Sequence, residues 1–188
     1  MIERLIVDAD VCIKLGSSEK YCILQQLLQC LSKKSFIHRY VYDEELLITA
    51  SIKKQLNKLI CDGYLEIIDE SSLSFNDNAL FNAVYSKLAN VMIDQSNPRK
   101  NHGEVCSLAI AKTMSIPVFF TDERNLQPII DRVLNTGLGD IVCIRIIDVV
   151  EKIKREEIKG FGRKQAKVIW RLSGKAAGVF DTEIWPIT

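Results

Sequence analysis

Two short stretches decide the fold, Arg4-Leu-Ile-Val-Asp8 and Pro117-Val-Phe-Phe-Thr-Asp122, and each is an apolar run that ends in a carboxylate. A short apolar run bounded by polar residues is typical of a buried β-strand. Between and after these stretches, segments with apolar residues at helical spacing alternate with further strand-like runs. The alternation predicts an α/β fold, specifically a three-layer sandwich with a central, mostly parallel sheet covered by helices on both faces.

The remaining elements follow from the same patterns. Further strands are expected at residues 35–41, 64–68 and 140–145. A helix is expected to start near Ser17, because Ser, Ser and Glu precede apolar residues at helical spacing. A second helix, with Leu46 and Leu47 on its apolar face, is expected to begin at Asp43. The other expected helices span residues 76–93, 104–114 and 146–157.

Composition limits the class of protein. The chain has 188 residues, 47% of them hydrophobic and 26% charged, which is the size and balance of one globular domain with a small appendage. Six cysteines occur without a Cys-x-x-Cys spacing, so a zinc site is not expected. There is no run of 18 apolar residues, and two acids fall within the first eight residues. These features predict a cytoplasmic protein with no membrane partner.

The net charge of +1 conceals two opposed regions. Residues 151–175 contain nine basic and three acidic side chains, a local charge of +6. The rest of the chain therefore carries −5. A near-neutral whole does not exclude a nucleic-acid partner when the basic residues are clustered in this way.

Carboxylates follow the strands at positions that the fold brings together. Asp8 and Asp122 end two strands, Glu104 opens the helix before the second of them, and an Asp-Glu-Glu run at residues 43–45 follows another strand. The carboxyl ends of parallel strands share one edge of a sheet, where ligands bind. Several clustered carboxylates raise one another's pKa unless cations neutralise them, and Mg²⁺ and Mn²⁺ prefer oxygen ligands.

Four motifs resemble those of the PIN-domain (PIN-like) nuclease family, over roughly residues 1–150. They are Leu5-Ile-Val-Asp-Ala-Asp-Val-Cys-Ile13, Val41-Tyr-Asp-Glu-Glu-Leu46, Gly103-Glu-Val-Cys-Ser-Leu-Ala-Ile-Ala111 and Pro117-Val-Phe-Phe-Thr-Asp-Glu-Arg124. The resemblance implies four catalytic acids. These are Asp8, Glu44, Glu104 and Asp122, with Glu45 as the alternative second acid.

The resemblance also implies a chemistry. It predicts a metal-dependent phosphodiesterase, an endoribonuclease that uses one or two Mg²⁺ or Mn²⁺ ions and leaves 5′-phosphate and 3′-hydroxyl ends. The implied metal ligands are Asp8, Asp10, Glu104, Asp122 and Glu123. A role as the toxin of a toxin–antitoxin pair, an antitoxin protein as partner and a homodimer all stay open.

Residues 151–188 form a second predicted unit, a basic helical segment and tail. Gly160-Phe-Gly162 followed by Ala166 resembles a helix–hairpin–helix, in which glycines let backbone N–H groups approach a phosphate. The stretch at residues 173–178 is expected to be flexible. The residues predicted to bind nucleic acid are Arg99, Lys100, Lys159, Gly160, Gly162, Arg163, Lys164 and Lys167.

Three alternative functions stay open at this stage. The first is a DNA or structure-specific PIN-like nuclease, which the helix–hairpin–helix resemblance favours. The second is a haloacid-dehalogenase-type phosphatase, because Asp8-Ala-Asp10 and Thr121-Asp-Glu123 resemble its acidic motifs. The third is a non-catalytic nucleic-acid-binding or scaffold protein that keeps the fold.

Overall fold

A computed structural model describes residues 1–46 and 50–186, and its centre is a five-stranded parallel sheet. The strand order is β3-β2-β1-β4-β5, and every neighbouring pair is parallel. Helices cover both faces, so the predicted α/β sandwich is confirmed. The strands are β1 (Ile2–Val7), β2 (Ser32–His38), β3 (Leu65–Ile68), β4 (Val118–Phe120) and β5 (Val142–Ile144).

Helices connect successive strands and continue beyond the last one. The helices are α1 (Ala9–Gly16), α2 (Ile23–Leu31), α3 (Ala50–Cys61), α4 (Phe75–Met92), α5 (His102–Thr113), α6 (Leu126–Val133), α7 (Ile146–Lys154), α8 (Arg163–Leu172) and α9 (Ala177–Val179). Two π-helical turns, Val41–Glu45 and Phe180–Ile184, and a 3₁₀ turn, Glu70–Ser72, complete the described elements. Among the helices within residues 1–46 and 50–186, none is long and apolar enough to cross a bilayer.

The central strand β1 divides the core into two parts. Successive side chains of a strand point to opposite faces of the sheet. Leu5 and Val7 accordingly pack in one apolar cluster, with residues of α1, α2, α3, α7 and α8, while Ile6 packs in the other, with residues of α4, α5 and α6. All three side chains are inaccessible to solvent. A strand that is apolar on both faces is what a sheet with two helical layers requires.

The structure corrects the prediction of where helices begin. A helix, α1, starts immediately after Asp8, whose carboxylate accepts a hydrogen bond from the Ala9 N–H as an N-cap. The helix expected at Ser17 begins only at Ile23. The helix expected from Asp43 is replaced by the first π-helical turn and then α3, and the predicted apolar position Leu47 lies outside the described residues.

The C-terminal segment, residues 151–186 of the described chain, shares the core of the rest. Ala166, Ile169 and Trp170 of α8, together with Phe180, belong to the same apolar cluster as Leu5 and Val7. The α7–α8 connection turns at Gly160, whose φ of 84° suits glycine. The basic segment is therefore a helical hairpin that packs on the sheet domain and is not detached from it.

Candidate active site

The site lies at the carboxyl edge of the two central strands. Val7 of β1 pairs with Phe120 of β4, so the residues that follow these strands are neighbours. The Asp8 N–H donates to the Phe120 carbonyl oxygen at 3.0 Å. The first turn of α5 and the π-helical turn Val41–Glu45 bring Glu104 and Glu45 to the same edge.

Asp8 is the buried centre of the site. Its side chain is held at both oxygens: Oδ1 accepts from the Ala9 N–H at 2.8 Å and Oδ2 accepts from the Thr121 hydroxyl at 2.9 Å. The residue is 1% exposed. Burial, followed by the charge of Glu104, raises the pKa of the Asp8 carboxyl to about 8. Two hydrogen bonds thus fix a carboxylate whose ionisation the surroundings oppose.

Glu45, rather than Glu44, joins this cluster. The Gly103 N–H donates to Glu45 Oε1 at 3.2 Å. A Cβ atom on residue 103 would lie 2.4 Å from both carboxylate oxygens, so this approach requires glycine. Burial and the charge of Glu104 raise the pKa of Glu45 to about 7. Glu44 is exposed and lines a separate shallow cleft beside Arg39.

Glu104 connects the buried acids with two more exposed ones. Burial raises the pKa of its carboxyl, and the charges of Glu123 and Asp10 raise it further. Glu104 in turn raises the pKa of Asp8 and of Glu45. Charge interactions therefore link five acids, which are Asp8, Asp10, Glu45, Glu104 and Glu123.

Because the pKa of Asp8 is raised, the stability of the metal-free protein is expected to depend on pH. An acid whose folded-state pKa exceeds its unfolded value opposes folding as pH rises between the two values. We expect the metal-free wild type, in EDTA, to lose more stability between pH 6.5 and pH 8 than Asp8→Asn does. Melting curves of both proteins at the two pH values measure the difference. Equal losses would show that Asp8 is already ionised at pH 6.5.

Asp122 has a different environment, because two lysines hold it. Lys14 Nζ lies 3.0 Å from Asp122 Oδ2 and 2.7 Å from Asp10 Oδ2. Lys175 Nζ lies 3.0 Å from the same Asp122 Oδ2 and 3.3 Å from Oδ1. Burial alone would raise the pKa of the Asp122 carboxyl, but the bonds from the two lysines outweigh it and lower the pKa. Asp122 is thus a paired, ionised carboxylate.

The donor chemistry fits a hard divalent cation on one side of the site only. Neighbouring acids raise the pKa values of Asp8 and Glu104, and grouped carboxylate oxygens are the ligands that Mg²⁺ and Mn²⁺ favour. Asp122 has its oxygens engaged by ammonium groups. Within residues 1–46 and 50–186, no three His, Cys, Asp or Glu side chains converge as a ready-made ligand set. Ion binding would therefore draw Asp8 and Glu104 together.

A cleft of about 310 Å³ opens beside the acids. Glu104 and Glu123 form one wall, and Lys100 from the polar loop before α5 lies on the rim. Met92 and Leu126 give the cleft an apolar wall. Of the residues predicted to bind nucleic acid, Lys100 thus adjoins the acidic cluster, and Arg99 lies next to it on the exposed loop.

The basic residues of the hairpin differ in how free their side chains are to bind a phosphate. Arg163 and Lys167 are both paired with Asp181, so the two predicted phosphate ligands are partly neutralised within the chain. Lys159 and Lys164 are exposed at the hairpin, beside Gly160 and Gly162. Only part of the predicted basic set is therefore free to meet a phosphate.

Two further candidates for a functional role, Lys14 and Lys175, were not predicted from the sequence. Lys14 lies four residues after Asp10 in α1, a spacing that places both on one helix face once that helix is recognised. Lys175 lies in the stretch expected to be flexible. Instead, Ser173 is buried, and Lys175 Nζ is bonded to Asp122 and to the Ser173 hydroxyl. No local sequence signal connects Lys175 with Asp122.

Comparisons with known proteins give no relative. No family model matches the chain, and neither the curated proteins nor the solved structures contain a significant match.

Proposed function

We propose that the protein is a divalent-metal-dependent nuclease that hydrolyses phosphodiester bonds, with RNA as the favoured substrate. The observation that carries the proposal is the coupled group of Asp8, Glu45 and Glu104 at the carboxyl edge of the central strands. Such a group is costly to keep without a cation, and it lies where parallel sheets bind ligands. The choice of RNA rests on the resemblance to PIN-domain nucleases.

Different residues would bind the metal ion and accept the proton. Asp8 and Glu104 would hold a Mg²⁺ or Mn²⁺ ion, which supplies Lewis acidity to the phosphate when bound. Glu45, which accepts a hydrogen bond from the Gly103 N–H, would accept the proton of the attacking water. The oxygen of that water would bond to phosphorus as the bond to the 3′ oxygen breaks, and the leaving oxygen would take up a proton from solvent water. The products carry 5′-phosphate and 3′-hydroxyl ends.

A parallel cleavage assay tests the proposal. Labelled single-stranded RNA, single-stranded DNA and a flapped duplex are incubated with the protein and Mn²⁺, or with EDTA. We expect endonucleolytic cleavage of the RNA that requires Mn²⁺, and no hydrolysis of a phosphate monoester such as p-nitrophenyl phosphate. Preferred cleavage of the flapped duplex would instead favour the structure-specific alternative. Absence of cleavage, together with absence of Mn²⁺ binding in calorimetry, would refute the nuclease.

A further inference from the structure

Two ammonium groups converge on one carboxylate beside the acids. The Nζ atoms of Lys14 and Lys175 each lie 3.0 Å from Asp122 Oδ2, so they are separated by at most twice that distance. The Asp122 side chain is 5% exposed, whereas those of Lys14 and Lys175 are 29% and 18% exposed. The carboxylate is thus enclosed, and both lysine side chains are partly exposed to solvent.

The fold holds Lys175 in this position through the end of α8. The Trp170 indole N–H donates to the Ala176 carbonyl oxygen at 2.9 Å, and the Ser173 hydroxyl donates to the Trp170 carbonyl oxygen at 2.8 Å. The ammonium group lies 5.5 Å from the centre of the Trp170 ring and donates to the Ser173 hydroxyl at 3.0 Å. Contacts on both sides of Lys175 therefore fix the chain that carries it.

Lysine chemistry leaves capacity for a further anion. An ammonium group has three N–H donors. Lys14 directs two bonds, to Asp10 and Asp122, and Lys175 bonds Asp122 and Ser173. Lys14 therefore has one N–H left for another acceptor. Lys175 also has one left, because a single N–H can be shared between the two oxygens of Asp122. Two ordered ammonium groups with free donors, beside carboxylates suited to a cation, match the charge pattern of a phosphodiester.

We propose that Lys14 and Lys175 form a phosphate-binding pair at the carboxyl edge of the central strands, with Asp122 as the residue that positions them and not as a metal ligand. The C-terminal segment then supplies part of the active site through Lys175. This inference rests on the proposed nuclease function, because it assigns the lysines to the substrate's backbone. It also accounts for the two lysines bound to Asp122, where the carboxylate of Asp8 is held by a backbone N–H and a hydroxyl.

Equilibrium binding tests the pair without relying on cleavage. A labelled single-stranded RNA is titrated by fluorescence anisotropy, with Ca²⁺ in place of Mn²⁺, over a range of NaCl concentrations. We expect Lys175→Met to weaken binding by about tenfold, as loss of one charged hydrogen bond predicts. The slope of log affinity against log salt should fall by about 0.7, the value for one phosphate contact on a single strand. A residue with only a packing role would not change this slope.

Three controls keep the experiment decisive. Lys33→Met removes an exposed lysine at the start of β2, at the opposite edge of the sheet, and should bind with the wild-type affinity and slope. Lys175→Arg keeps the positive charge and should restore most of the slope. If Lys175→Met does not fold, the double variant Asp122→Asn with Lys175→Met removes both partners of the ion pair, and it should fold with a binding defect at least as large, because Asp122 also positions Lys14.

The outcomes separate this inference from the function on which it rests. Wild-type affinity and slope in Lys175→Met would overturn the phosphate-binding pair even if the wild type cleaves RNA. Tighter Mn²⁺ binding by Lys175→Met with unchanged RNA binding would also overturn it, because the lysine would then only mask a metal ligand. A weakened affinity and slope in a protein that cleaves nothing would support the pair and refute the nuclease. Absence of RNA binding by the wild type would overturn both.

Discussion

Asp8→Asn is expected to lower the rate of RNA cleavage by at least about a thousandfold while it raises the melting temperature of the metal-free protein at pH 8. The loss of activity follows from the position of Asp8, which is the buried carboxylate closest to both central strands. The gain in stability follows from its pKa of about 8, because the wild type at that pH must either protonate or bury a charge. One substitution therefore moves activity and stability in opposite directions.

Asparagine can retain the local hydrogen bonds of Asp8. Its Oδ1 can accept from the Ala9 N–H, as the carboxylate does at 2.8 Å. Its amide can donate to the Thr121 hydroxyl oxygen, which reverses the bond that this hydroxyl donates to Asp8 in the wild type. The substitution thus removes charge without opening a cavity, and a rise of a few degrees in melting temperature is expected.

Asp62→Asn is the matched control for this experiment. Asp62 follows α3 and precedes β3, so it lies toward the opposite edge of the sheet, in an exposed ion pair with Lys58. Exposed pairs of this kind contribute little to stability. Wild-type activity is expected in Asp62→Asn. If Asp8→Asn cleaved RNA as fast as this control, the acids at the carboxyl edge would not be catalytic.

The apolar strands made most of the fold predictable. Runs such as residues 5–7 and 118–120 are apolar on both faces of the sheet, a pattern typical of a buried parallel strand between two helical layers. The position of the acids followed, because chain direction in a parallel sheet fixes the edge at which Asp8 and Asp122 emerge. Long-range contacts were not needed for either inference.

Helix α1 was missed because Asp8 has two roles. Its carboxylate was interpreted as a site residue that ends a strand, whereas it also caps the helix that follows. The buried positions Val11, Cys12 and Leu15 are at helical spacing and fit such a helix, but the run is only eight residues long. Recognising α1 would have placed Lys14 on the face of Asp10, near the site.

The lysine pair was beyond sequence reasoning for a different reason. Lys175 and Asp122 are 53 residues apart in the chain, and their contact depends on how α8 packs against the sheet domain. Neither propensity nor periodicity encodes that packing. The contrast between Asp122 and Asp8, which look equivalent as strand-end acids, arises from these tertiary neighbours alone.

The second large effect on the cleavage rate is expected at Glu45 and not at its neighbour Glu44. Glu45→Gln is expected to reduce the rate of RNA cleavage by about a hundredfold, the contribution typical of one proton-transfer residue, while Glu44→Gln should stay near wild type. Glutamine keeps an oxygen that accepts from the Gly103 N–H but cannot take a proton from water. Single-turnover cleavage rates of the two variants, measured with Mn²⁺, give the comparison.

The two glutamates differ by one position, yet the π-helical turn directs them to different surroundings. Glu45 meets the Gly103 backbone at 3.2 Å, and Glu44 is exposed beside Arg39. Because both substitutions remove one charge from the same turn, a general electrostatic effect on RNA binding would appear in both variants. A role in proton transfer instead predicts loss in Glu45→Gln alone, with Mn²⁺ affinity retained. Loss confined to Glu44→Gln would mean that the turn rearranges when substrate binds and that Glu44 is the second acid.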